Sequence, residues 1–581
     1  MDSLLYLLAL VSATQALNPE RNSTFSYFVH ETLRYATPNP TPTTTTTYGP
    51  PYSKAVQCLQ TTLATTTWGS WLPGQTNVTA TDHDVRFGQA AWSSMWEGVG
   101  SLRGYTTTGL YATTASPTPI PTEELILPPK DYFGPTDNYT FPDGFVFGVA
   151  GSASQIEGAI ALEGRSPTLM DVWEQETDLA TDFVTNENYF LYKQDIARLA
   201  AMGVKYYSFS IAWSRILPFA LPGTPVNQQG IDHYDDLINT VLDAGMQPIV
   251  TVTHFDSPLV FLQGENYSTD LGVGVSNGGY HNETFVDAFV NYGKILFTHF
   301  ADRVPFWITF NEPIIFTYDF AGLNNVVHAH AQLYHYYHDT LGAAGKISLK
   351  LANNYATPLD IQNPDDIAAA NRVQEMYIDA FANPIYLGKQ YPDCEELAYL
   401  ANTADFFAID SYTTVLATQP EGGIQECAGN QSHPLWPVCV ESSSITQTGW
   451  DIGYRSESYV YITPKYLREF LGYLWTNFHY PIMLTEFGFP VYGEGDRALA
   501  DQRFDTPRSI YYLSCMSEIL KAVHEDGVNM LGALAWSFAD NWEFGDYAQQ
   551  FGLQVVNRTT QERFYKKSFF DLVDFVKERT L

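Results

Sequence analysis

The chain predicts an α/β fold, a (β/α)8 barrel of the TIM type with an N-terminal Thr/Pro-rich extension, and three observations carry that reading. Eight short apolar runs of β-like composition recur after Phe141. Most are separated by stretches whose apolar residues return at helical spacing. Polar residues collect where the runs end, the face on which such barrels build their sites.

The elements follow in order. Phe145-Val146-Phe147-Gly148-Val149-Ala150 reads as the first strand. Tyr189, Tyr192, Ile196 and Leu199 then mark a helix that Gly203 stops. Tyr207 to Trp213 reads as the second strand, and Ile231, Tyr234, Ile238 and Leu242 as a helix closed by Gly245. Ile249–Val252, Phe306–Phe310, Ile347–Leu351, Phe406–Ile409, Ile482–Thr485 and Leu531–Trp536 complete the eight. Gln155, His254, Asn311, Glu312, Tyr412, Glu486 and Glu543 all follow strand runs.

The segment before the barrel differs in composition. Leu4 to Val11 is apolar and Ser12-Ala13-Thr14-Gln15-Ala16 supplies small residues, so residues 1–16 read as a signal peptide, although Asp2 replaces the usual basic start. That run is too short to span a bilayer and no later stretch is long enough. Seven acceptor sequons begin at Asn22, Asn77, Asn138, Asn266, Asn282, Asn430 and Asn557, which agrees with a secreted protein. Residues 17–135 form the extension and 136–581 the barrel. Thr37–Pro51 and Thr113–Pro129 are Thr/Pro tracts that cannot bury a core of their own. Between them Trp68, Trp71, Trp92 and Trp96 cluster, either as a small sugar-binding module or as a segment packing its rings on the barrel.

The 581 residues carry a formal charge of −34, which would repel a phosphate backbone and argues against nucleic acid as a partner. Aromatic residues at 15% against 16% charged suit a well-buried enzyme with surfaces for stacking sugars, not a disordered chain. Of five cysteines, Cys427 and Cys439 bracket a loop with two prolines, where a local disulfide is expected. No cysteine spacing matches a zinc site, and His328, His330, His335 and His338 read as part of an ordinary helix, not as metal ligands.

Two carboxylates stand out. Glu312 lies in Trp307-Ile308-Thr309-Phe310-Asn311-Glu312-Pro313 and Glu486 in Leu484-Thr485-Glu486-Phe487-Gly488. Each ends a strand run. Any single strand-end Glu is more often merely solvated, but two in matching contexts of one barrel can be brought together. A pair held about 5–5.5 Å apart is the apparatus of a retaining glycosidase.

With Phe147-Gly148-Val149-Ala150-Gly151-Ser152-Ala153-Ser154-Gln155-Ile156-Glu157-Gly158, Phe209-Ser210-Ile211-Ala212-Trp213-Ser214-Arg215-Ile216-Leu217-Pro218, Thr309-Phe310-Asn311-Glu312-Pro313 and Trp536-Ser537-Phe538-Ala539-Asp540-Asn541-Trp542-Glu543, residues 136–581 closely resemble glycoside hydrolase family 1, the β-glucosidase family of retaining enzymes. The resemblance implies Glu312 as acid/base and Glu486 as nucleophile. It implies sugar-hydroxyl contacts for Gln155, His254, Asn311 and Glu543, an apolar ring face from Trp536, and a contact between Tyr412 and the nucleophile. It implies a small-molecule or oligosaccharide β-glycoside as substrate, with no metal, nucleotide or flavin.

Departures from the family pattern cluster around that pair. Ser208 stands where the family has an arginine beside the nucleophile, so Glu486 either ionises less readily or needs another cation. Phe255 and Phe544 replace tryptophans, Asp410-Ser411-Tyr412 replaces Asn-Tyr-Tyr, Phe487 replaces an asparagine, and Gln550 an arginine. Ser208 and Phe544 keep open a second reading, a secreted carbohydrate-binding barrel without useful chemistry. Retention of both acids favours the enzyme.

Overall fold

The computed structural model describes residues 33–580 except 45, 50, 61–62, 72–81, 101, 111, 113–114, 130–136, 173–178, 262–278, 282, 318–319, 353 and 391–393. The expected signal peptide and the sequons at Asn22, Asn77, Asn266 and Asn282 lie outside the described residues. Two units are distinguished, Met1–Tyr35 and Ala36–Leu581; only Leu33 to Tyr35 of the first are described.

Eight parallel strands close into a barrel: β1 (Val146–Ala150), β2 (Tyr206–Ser210), β3 (Gln247–Thr253), β4 (Phe306–Asn311), β5 (Lys346–Ala352), β6 (Phe407–Asp410), β7 (Ile482–Phe487) and β8 (Met530–Trp536). They neighbour one another in chain order, and β8 pairs with β1 to close the ring. The helices between them are α1 (Asn188–Ala201), α2 (Gln228–Asp243), α3 (Glu283–Phe300), α4 (Phe320–His335), α5 (Pro364–Gln374), α6 (Pro464–Phe478), α7 (Thr506–His524) and α8 (Lys567–Arg579). Helical spacing on α2 puts Ile231, Tyr234 and Ile238 on one buried stripe. Each such side chain contributes roughly 1.5–3 kcal/mol by leaving water. Gly203 and Gly245, just past α1 and α2, take positive φ, and a side chain at either would strike the Thr37 or Pro40 carbonyl.

The second strand stops at Ser210, three residues short of the sequence expectation. Trp213–Ile216 is a helical turn, with Trp213 stacked on Tyr292 at 5.0 Å. The run stays apolar because these residues are buried under α3, and apolarity alone does not separate a strand from a buried turn.

From Ala36 onward the extension packs on the barrel's own elements. Asn39 N donates to Ala200 O, Thr65–Thr66 pairs with Val226–Asn227, and Trp71 N donates to Ala161 O. The four tryptophans lie in one apolar cluster with Ile160, Ala161 and Phe183, and Trp92 and Trp96 are 0% exposed. Their indole N–H groups donate to Gly164 O at 2.9 Å and Arg165 O at 2.8 Å. The rings therefore pack on the barrel and present no stacking surface to a free sugar. Trp96→Ala should cost about 3–5 kcal/mol, read as a lower unfolding midpoint and faster proteolysis of the extension; an unchanged midpoint would contradict this packing.

Cys427 and Cys439 are disulfide-bonded, in the long connection after β6 that also forms a small sheet with Tyr355–Pro358. His330 is committed to the scaffold: its ring bonds Thr309 of β4 and the Thr403 carbonyl. No helix among the described residues is long and apolar enough to cross a membrane.

Candidate active site

The residues singled out from sequence converge at the C-terminal mouth of the barrel. On β4, Asn311 ends the strand and Glu312 turns the chain into a left-handed conformation, φ 42° and ψ 53°. For a non-glycine residue this costs about 1–3 kcal/mol and persists only where surrounding bonds enforce it. Here Glu312 N donates to Lys350 O at 2.9 Å, and Glu312 O accepts from Ile315 N at 3.1 Å. Phe255 and Phe544, which also follow strand ends, have positive φ as well, and their rings meet edge to face at 5.4 Å.

Glu486 on β7 is buried and held from both sides. Tyr412 donates its hydroxyl to Oε2 at 2.7 Å, and Lys350 Nζ donates to Oε1. Tyr412 is itself fixed by Tyr511, whose hydroxyl donates to the Tyr412 carbonyl at 2.9 Å. Lys350 also faces Asp410 Oδ2 at 3.5 Å, and Asp410 Oδ1 accepts from Thr485 at 2.7 Å. Three successive strands, β5, β6 and β7, thus supply Lys350, Asp410 and Glu486.

The remaining residues line the same mouth. Asn311 Nδ2 lies 3.1 Å from His254 Nε2, and Asn311 Oδ1 is buried without a partner among the described residues. An orphaned buried acceptor of this kind calls for a donor such as a hydroxyl. His254 stacks on Trp536 at 5.8 Å, and Trp536 donates its indole N–H to Glu543 Oε1 at 3.1 Å. Gln155 Nε2 donates to Trp542 O at 3.0 Å and its Oε1 accepts from Ser152, which ties β1 to the loop after β8.

Burial, and then the neighbouring Glu486 charge, push Glu312 up to about 8, with Lys350 opposing. Burial raises Glu543 to about 8, against the hydrogen bonds from Trp536 and Gln155. His254 is held well below its ordinary value by burial and then by Lys350, so its ring is neutral. Burial depresses Lys350, but Asp410 and Glu486 more than offset it and the ammonium is retained. Raised in this way, Glu312 can hold a proton where an ordinary carboxylate would have lost it, as a general acid must.

Lys350 was missed in the sequence reading, although a signal for it was present. In Ile347-Ser348-Leu349-Lys350-Leu351 the apolar residues alternate with Ser348 and Lys350, which places the lysine on the face opposite the apolar one. Tyr459 was also missed. It lies in the long connection after β6, 52% exposed, with its ring 6.3 Å from Tyr412.

The profile described as "Glycosyl hydrolase family 1" matches residues 137–580. "Beta-glucosidase 1B" of Phanerodontia chrysosporium is 31% identical over 476 residues, 74% of this chain and 84% of its own. Among solved structures, beta-glucosidase 2 of Trichoderma reesei in complex with Tris superposes with TM-score 0.69 at 30% identity, over 76% of this chain and all of that one. A beta-glucosidase of this family from Humicola insolens, in complex with glucose, gives 0.68 at 28% identity, over 76% and 99% of the two chains. A match over most of the chain, in sequence and in the closed eight-stranded barrel alike, leads to one conclusion: this chain belongs to glycosyl hydrolase family 1.

Proposed function

We propose that this protein is a retaining β-glycosidase acting on β-glucosides or close relatives, with Glu486 as nucleophile and Glu312 as acid/base. The observation that carries the reading is the asymmetry of the two carboxylates: Glu486 is gripped by a phenol and an ammonium, while Glu312 is raised by burial and by Glu486. In the first step a Glu486 oxygen bonds the anomeric carbon as the glycosidic bond breaks, and Glu312 gives its proton to the departing oxygen. Glu486 becomes a neutral ester, so the charge that had raised Glu312 is gone. Glu312 then takes a proton from water as that water attacks the same carbon and frees Glu486.

Gln155, His254, Asn311 and Glu543 are assigned to the sugar's hydroxyls and Trp536 to its apolar face. The unpartnered Asn311 Oδ1 supports a hydrogen bond from the 2-hydroxyl, one that strengthens in the transition state. Glucose in the Humicola insolens relative supports a gluco-configured glycone. The motive for a non-catalytic reading weakens as well, because Lys350 supplies a cation that Ser208 does not.

Turnover across aryl β-glucoside, β-galactoside, β-fucoside and β-mannoside, with Glu486→Gln as the blank, tests the activity and names the glycone. No release above the blank by folded protein would contradict it. The pH profile tests the acid. Glu312 must be protonated in the first step, so kcat/KM falls as pH rises through its elevated value. The basic limb should lie far above the ordinary carboxylate range, near 8; a limb within that range would contradict the assignment.

We also propose export through the secretory pathway. The apolar run before Ala16 and the exposed sequon asparagines Asn138, Asn430 and Asn557 support it. In a glycosylating host the mature chain should begin after Ala16 and shift in mass on deglycosylation; an intact Met1 and no shift would refute export.

A further inference from the structure

Between Glu486 and Asp410 lies an ammonium that is 1% exposed. We infer that Lys350 and Asp410 form a relocated countercharge for Glu486, in which Lys350 stabilises the carboxylate and Asp410 keeps the ammonium partnered when Glu486 becomes an ester. The inference rests on the reading of Glu486 as nucleophile.

A buried ammonium with one carboxylate partner would lose that partner on glycosylation, and an unpaired buried charge is strongly disfavoured. It would therefore resist formation of the ester. Asp410, 3.5 Å from Nζ and anchored by Thr485, remains as a partner. Burial, and then the Glu486 charge, hold Asp410 well above the ordinary carboxylate range, so it faces Lys350 as a carboxyl while Glu486 is ionised. Ester formation removes the Glu486 charge, and Asp410 then gives its proton to solvent and takes over as the partner of Lys350. β2 offers no cation at this level: Ser208, buried opposite Ala150 of β1, stands there instead.

The two members should act in opposite directions. Without Asp410, Lys350 binds Glu486 too well to release it to the sugar, so Asp410→Asn should slow glycosylation at least tenfold and abolish any burst. Without Lys350, the Glu486 carboxylate is a poorer leaving group. Lys350→Met should then slow deglycosylation at least tenfold, with a full burst and accumulated glycosyl-enzyme. Ser208→Arg placed in Lys350→Met should recover at least tenfold of the loss, and Lys350→Arg should fall nearer the parent than Lys350→Met does.

The experiment is stopped-flow release of dinitrophenol from 2,4-dinitrophenyl β-glucoside by the full-length protein and these variants. Opposite shifts in burst amplitude, with rescue by Ser208→Arg, are expected. Identical shifts in Lys350→Met and Asp410→Asn, or an unaltered burst in both, would overturn the inference. If Lys350→Met does not fold, Asp410→Asn and the Ser208→Arg/Lys350→Met double variant decide: a burst retained by the first, or no turnover by a folded second, overturns it. Glu486→Gln separates the two readings. Turnover retained in that variant refutes the nucleophile assignment itself, whereas its loss with unshifted bursts refutes only the role of Lys350 and Asp410.

Discussion

Glu486→Gln is expected to lower kcat on aryl β-glucosides by at least about 10⁴-fold, a barrier increase of about 5.5 kcal/mol, without loss of fold. The amide keeps the shape of the carboxylate and can still bond Tyr412, but it cannot form the glycosyl ester. Glu312→Gln should behave differently. General acid catalysis is worth about 10²–10⁴-fold, and that loss should appear with poor leaving groups. With dinitrophenolate, which departs unassisted, the first step should persist and the ester should accumulate. Equal losses on good and poor leaving groups would contradict the acid role.

The second large effect concerns the scaffold. Arg508 on α7 is buried among Glu494 and Asp505, donates to the Phe489 and Gln550 carbonyls, and shares Glu494 with Lys566, which continues to Asp540. This chain ties the loop after β7 to the loop after β8, the one that carries Glu543. Arg508→Met leaves Glu494 and Asp505 short of a cation in a dry site and should cost about 3–5 kcal/mol. The unfolding midpoint should fall accordingly, and KM should rise more than Trp96→Ala raises it, because the Glu543 loop loosens. An unchanged midpoint would contradict the role given to this cluster.

The barrel was legible because its strands and helices repeat with two clear periods. The mouth was legible because strand-end polar residues such as His254, Asn311, Tyr412 and Glu543 interrupt apolar runs. Lys350 escaped because one lysine within a strand resembles an edge residue, and only a closed barrel with Glu486 two strands away makes it internal. The extension from Ala36 was legible only as composition. Its Thr/Pro tracts lack periodicity, and what fixes them is backbone hydrogen bonding to barrel elements, such as Asn39 N to Ala200 O, which no side-chain pattern encodes. The end of β2 was misplaced for a related reason: Trp213 is apolar for burial under α3, not for pairing.

The central claim is most directly tested by trapping the covalent intermediate. The full-length protein should be inactivated by 2,4-dinitrophenyl 2-deoxy-2-fluoro-β-glucoside, gain the mass of one fluoroglucosyl group, and carry it on Glu486 in the peptide containing Leu484-Thr485-Glu486-Phe487. A label on another residue, or ready turnover of ordinary β-glucosides by protein that never acquires the label, would contradict it.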